Sequence, residues 1–158
     1  MRFLITVLLI IFSQVSFAKN ALVDDCSHLK DASEAQFTLF SKKEFIQLGE
    51  CLAVHTIKRR SITNLPMFCN EVIEDKTTPF GIMSLTKLEA IYIGQCVGVI
   101  NYIYLRYNEE NIDRHNSRYG RNKKYYCVKG LSAVKILSAN NNDESNRSDI
   151  RDLLCAER

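Results

Sequence analysis

The residues of this chain that could do chemistry are its six cysteines, its three histidines and a basic, tyrosine-bearing stretch from Arg114 to Tyr126. Cys26, Cys51, Cys69, Cys96, Cys127 and Cys155 are even in number, and no two stand in a C-x-x-C arrangement. Structural zinc sites usually bring their ligands in close pairs, and His28, His55 and His115 are scattered. The cysteines therefore point to paired disulfides rather than to a metal. Which cysteine bonds to which stays open at this level.

Catalysis needs a nucleophile or base held beside groups that tune it, and no G-x-S-x-G, H-E-x-x-H, P-loop or G-x-G-x-x-G advertises such a site. His55 falls on the apolar stripe of a helical segment and reads as a core or helix-end residue. Glu109 and Glu110 with Asp113 offer paired carboxylates of the kind that cleave glycosides, but adjacent acids after a helix are ordinarily solvated. The chain has no tryptophan, a common stacking platform for sugars. Arg114, Arg118, Arg121, Lys123 and Lys124 surround Tyr119 and Gly120, with Tyr125 and Tyr126 beside them. Such a cluster could hold phosphates while tyrosines stack on bases. It suits docking into an acidic protein cleft equally well, since arginine and tyrosine are enriched at energetic centres of interfaces. A solvated loop is the bland alternative. Arg114, Arg118, Tyr119, Arg121 and Lys123 are the candidate partner-binding residues, and no cofactor is implied.

The amino terminus bears on the choice. Met1-Arg2 is a short positive start, Phe3 to Phe12 is an apolar run broken only by Thr6, and Ser16-Phe17-Ala18 offers small residues for a signal peptidase. Residues 1–18 read as a signal peptide, and the mature chain as residues 19–158, a single periplasmic or secreted domain. The apolar run is shorter than the roughly 20 residues that cross a bilayer, and no cysteine follows the cleavage point to take a lipid. Removing residues 1–18 takes away Arg2 alone, so 21 basic residues become 20 against 18 acidic ones. Near-balance gives no whole-chain argument for nucleic acid or an anionic membrane.

The elements that must position these residues read as helices. Ser41-Lys42-Lys43-Glu44 is a capping box, and Phe45, Leu48, Cys51 or Leu52 and His55 follow at three- and four-residue steps. Lys58-Arg59-Arg60 then supplies positive charge to the carbonyl end, so a helix over about 42–59 is predicted. A shorter one precedes it around 32–40. Pro66 and Pro79 mark turns on either side of a short helix over about 67–74. Thr86-Lys87-Leu88-Glu89 is a second capping box, with Ser84 competing, and opens a long helix to about Tyr107. From Ile91 to Leu105 eleven of fifteen residues are apolar or tyrosine, so this helix belongs at the centre of the core or against a partner subunit. Its glycines, Gly94 and Gly98, each cost about 1 kcal/mol relative to alanine, a loss offset if another backbone packs closely there. Asn108 to Lys124 reads as an exposed excursion. Ser132 caps a helix to about Ala139, Asn140 to Asn146 forms a solvated loop, and Ser148 caps a last helix ending near Cys155. The predicted fold is all-α, a compact bundle of about five helices stabilised by disulfides.

Four cysteine contexts give this chain a likeness to a known family: Phe45-Ile46-Gln47-Leu48-Gly49-Glu50-Cys51, Gln95-Cys96-Val97-Gly98-Val99-Ile100, Tyr126-Cys127-Val128-Lys129-Gly130-Leu131-Ser132 and Leu153-Leu154-Cys155. In these segments, which span most of the mature chain, it resembles the Rap1a/Tai group of small exported bacterial immunity proteins. The chain departs from that pattern at Lys129, where the family often has proline, and in the length and basicity of residues 108–124. Cys26 and Cys69 lack counterparts among the four, and by parity the resemblance implies that these two bond to each other. It further implies an all-helical, often dimeric periplasmic inhibitor of peptidoglycan amidases delivered by type VI secretion. Such proteins bind and do no chemistry, entering the toxin's groove with a loop held on a rigid scaffold. A bond from Cys51 to Cys96, for example, would contribute on the order of 4 kcal/mol. The alternatives are a small secreted hydrolase and a non-catalytic interaction protein of the envelope.

Overall fold

Four of the six described helices begin where the sequence supplies a side chain to cap them. In the computed structural model, which describes residues 26, 29, 31–78, 85–110 and 124–158, α1 (Glu34–Leu39) and α2 (Lys42–Arg59) both open on capping boxes. At the second, Glu44 Oε2 accepts the Ser41 amide at 2.7 Å while Ser41 Oγ accepts the Glu44 amide at 3.3 Å. β1 (Ile62–Thr63) leads into α3 (Leu65–Thr77), and a third capping box, Thr86 with Glu89, opens α4 (Lys87–Tyr107). The amide and hydroxyl of Thr86 hold the Glu89 carboxyl below the ordinary carboxylate range. β2 (Tyr125–Cys127), α5 (Gly130–Ser138), β3 (Glu144–Ser145), α6 (Arg147–Leu154) and β4 (Cys155–Glu157) complete the order.

The fold is the all-α bundle predicted, with six helices among the described residues. α4 is its axis. By length and composition it could cross a bilayer, yet Ala90, Cys96, Val99 and Ile103 along it are fully buried against α2, α3, α5 and α6. The main core joins Cys96, Val99 and Ile103 to Ile57, Leu65, Ala133, Leu137 and Ile150. A smaller core beside it unites Cys26, Leu29, Phe45, Leu48, Cys51 and Ala90, edged by Phe37 and Phe40. There the Phe37 and Phe40 rings stack at 4.9 Å, and Phe40 meets Phe45 edge-on at 5.7 Å.

The glycines of α4 are explained by the approach of α2. A Cβ on Gly49 would strike the Ile91 carbonyl oxygen and stand 2.9 Å from the Gly94 Cα, and one on Gly94 would strike the Ile46 carbonyl oxygen. At Gly98 it would lie 2.7 Å from the Glu50 Cα. Without side chains at these points two helix backbones touch. Glu50, half-buried on this seam, has its carboxyl pushed above the ordinary range by desolvation. A carboxyl with a raised folded pKa costs stability when both states are ionised, and the cost disappears as pH falls through the folded value toward the unfolded one. Glu50→Gln is therefore expected to raise the melting temperature at neutral pH. Melts repeated near about pH 4 should show that gain shrinking.

The disulfides are Cys26–Cys51, Cys69–Cys96 and Cys127–Cys155. This corrects the Cys26–Cys69 pairing and excludes the Cys51–Cys96 bond, because Cys69 on α3 faces Cys96 on α4 inside the main core while Cys51 faces the smaller one. The cysteines pair consecutively along the chain, first with second, third with fourth and fifth with sixth, at separations of 25, 27 and 28 residues. Loops of that size correspond to about 3.5 kcal/mol each by chain entropy.

Other local expectations are revised. α3 is longer than 67–74 because Pro66 fits a first turn, where its missing N–H costs nothing. Asn146, not Ser148, caps α6: its side chain accepts the amides of Ser148 and Asp149, and Asp149 returns the bond. α5 starts at Gly130, in the left-handed region with φ +63°, ahead of Ser132. The asparagine-rich loop is not wholly solvated, since Ser145 is buried and β3 pairs antiparallel with β1, Ile62 opposite Ser145. His55 lies on the exposed face of α2, not the buried stripe. The signal peptide, the turn at Pro79 and the competing cap Ser84 lie outside the described residues.

Candidate functional site

One end of the bundle gathers base and tyrosine. The short β2–β4 ladder runs antiparallel with Tyr125 opposite Glu157, Tyr126 opposite Ala156 and Cys127 opposite Cys155, so the third disulfide staples its last rung. Lys124 and Arg158 exchange backbone hydrogen bonds at 2.9 and 3.0 Å beyond it. After α4, Glu109 turns at φ +63° and donates its amide to the Tyr125 carbonyl at 2.8 Å, while the Tyr125 amide donates to the Glu110 carbonyl at 3.2 Å. Asn108 Oδ1 accepts the Cys127 amide at 3.1 Å. Glu110 and Lys124, the described residues on either side of 111–123, are thus both held at one fixed strand.

Arg114, Arg118, Tyr119, Arg121 and Lys123, with His115, lie between those points and outside the described residues. Of the flanking residues, Tyr126 is exposed with the Arg158 guanidinium over its ring, and Tyr125 packs edge-on against the buried Tyr107 at 6.4 Å. Of the acids after α4, Glu110 is ion-paired with Arg106 at 2.9 Å, and Asp113 lies outside the described residues.

A second feature escaped the sequence. The carboxyl end of α2 and the amino end of α6 face each other across a groove of about 420 Å³. Lys58, Arg59 and Arg60 stand on one side, Arg147 and Arg151 on the other, and Tyr107 lies between. Arg151 is ion-paired with Asp152 at 2.7 Å and lies over the Tyr107 and Tyr125 rings at 5.6 and 5.2 Å. The Tyr102 hydroxyl, and next Tyr107, push Arg147 still further from deprotonation. Lys58 sits 5.9 Å from the Tyr102 ring centre. Among the described residues no acidic side chain lines the groove, and no carboxylate is ion-paired with Lys58, Arg59, Arg60 or Arg147. The two halves are almost ninety residues apart and each has a local explanation, a helix carbonyl end and a short polar helix. The remaining hint in sequence is Arg147 and Arg151 at i, i+4, which share a helix face.

Among the described residues no three His, Cys, Asp or Glu side chains converge as metal ligands would. No protein-family model, curated protein or solved structure matches this chain.

Proposed function

We propose that this chain is an exported binding protein of the immunity type, which inhibits a secreted peptidoglycan amidase by covering its active site. The single observation that carries it is the fixed strand edge. Disulfide Cys127–Cys155, the bonds of Glu109 and Glu110 to Tyr125 and the Lys124–Arg158 exchange hold both ends of a basic, tyrosine-rich segment on a rigid scaffold. A segment anchored at both ends loses less conformational freedom on docking, which favours tight binding. The resemblance of the cysteine contexts to those of the Rap1a/Tai group favours the same reading, although the disulfide pairing is not the one it implied, and the three disulfides fit an oxidising compartment.

The test is a titration of the oxidised mature chain into the secreted cell-wall amidase encoded nearest to its gene. Peptide release from peptidoglycan should stop near equimolar inhibitor. The triple variant Arg118→Ala, Tyr119→Ala, Arg121→Ala should need at least about tenfold more protein, as loss of interface centres does. Full amidase activity in excess protein rejects inhibition, and turnover of peptidoglycan, lipid or peptide by the chain itself would identify a hydrolase instead.

A further inference from the structure

We infer that the groove between α2 and α6 is a binding site for a compact, multivalent phosphate group, independent of the amidase-covering edge. Among the described residues, four of its five cations, Lys58, Arg59, Arg60 and Arg147, have no carboxylate partner, and no acid lines the space. Like charges gathered on two facing walls repel, and an anion between them removes that repulsion. The helix ends do not do so. The carbonyl end of α2 contributes about half a negative charge and the amino end of α6 about half a positive one, so the two offset.

A carboxylate would bring a single charge. A phosphate monoester brings about −1.5 to −2 and three acceptor oxygens, enough to engage both walls at once, and guanidinium forks match its geometry. Arg147 and Arg151 sit one turn apart on α6, and Arg151 is already oriented by Asp152 and by the Tyr107 and Tyr125 rings. Its planar group is therefore arranged before any ligand arrives. Tyr107, buried beneath the cations, also lines the groove. Cations confined to two helix ends suit a single anionic group, whereas a nucleic acid backbone would need a continuous track of several phosphates. The phosphate could be soluble or borne on a lipid headgroup, and the chemistry of recognition is shared.

Inorganic pyrophosphate is the probe, titrated into the oxidised mature chain at low salt by calorimetry and by the guanidinium resonances of Arg147 and Arg151. Saturable binding is expected, weakened at least about tenfold in the Lys58→Gln, Arg147→Gln double variant, the loss typical of a charged hydrogen bond. Both residues are exposed, and an unchanged melting curve will separate lost binding from lost folding. Sedimentation with vesicles containing phosphatidic acid, competed by pyrophosphate, would assign a lipid headgroup as the source. Pyrophosphate binding without sedimentation would assign a soluble phosphate. No saturable binding, equal binding by the double variant, or equally tight binding of a tetraglutamate peptide would each overturn the proposal.

Discussion

Replacing Gly94 with valine is expected to unfold much of the protein, with a loss above about 3 kcal/mol, at the upper end of what overpacking costs. Even alanine at this position should destabilise. In an open helix the change from glycine to alanine is worth about 1 kcal/mol in its favour, so the sign here is set by space alone. A new Cβ at Gly94 meets the backbone of Ile46 and Gly49, not the movable end of a side chain, and only separation of α2 from α4 would relieve it. That separation opens the contact between the two longest helices, with Ala53, Ile57, Ile93 and Ile100 around it. Urea denaturation followed by circular dichroism reads the effect directly. A Gly94→Ala variant as stable as the parent would show that the two backbones do not touch.

The second large effect should come from Cys69→Ala with Cys96→Ala. Both cysteines are fully buried in the main core, where α3 meets α4. Their removal releases a constraint on the unfolded chain and leaves a void, and together these should cost about 2–5 kcal/mol. The matching change at Cys26 and Cys51 should cost less, since that bond joins Cys26 to α2 within the smaller core and leaves the contacts of α4 with α3, α5 and α6 in place. Denaturant midpoints of the two double variants would rank them. A larger loss at Cys26 and Cys51 would relocate the centre of stability to the smaller core.

Those helices were legible because their signals are local. Ser41 with Glu44 and Thr86 with Glu89 mark the starts of α2 and α4 within four residues, and both helices end where their apolar spacing and charge change. The glycines of α4 also announced a close neighbour, although not that Gly49 on α2 was its counterpart. What could not be read depends on contacts between distant segments. Parity cannot say that Cys69 meets Cys96, because that follows from how α3 packs on α4. Asn146 and Ser148 both qualify as caps, and the choice falls to Asn146 because Asp149 stands three residues on to close the box. Ser145 reads as solvated until Ile62 pairs with it. For the candidate site, the basic character near residues 114–126 was evident, while the groove needs Arg59 and Arg147 brought together by folding.

Export of this helical scaffold, held by three sequential sulfur bridges, is what we propose. Its most direct test is mass spectrometry of protein recovered from the cell envelope or medium, as intact mass and as a non-reducing peptide map. The account predicts a chain beginning at Lys19, without free thiols, that yields linked peptides joining Cys26 to Cys51, Cys69 to Cys96 and Cys127 to Cys155. An uncleaved chain confined to the cytoplasm with reduced cysteines, or peptides joining Cys26 to Cys69, would contradict it.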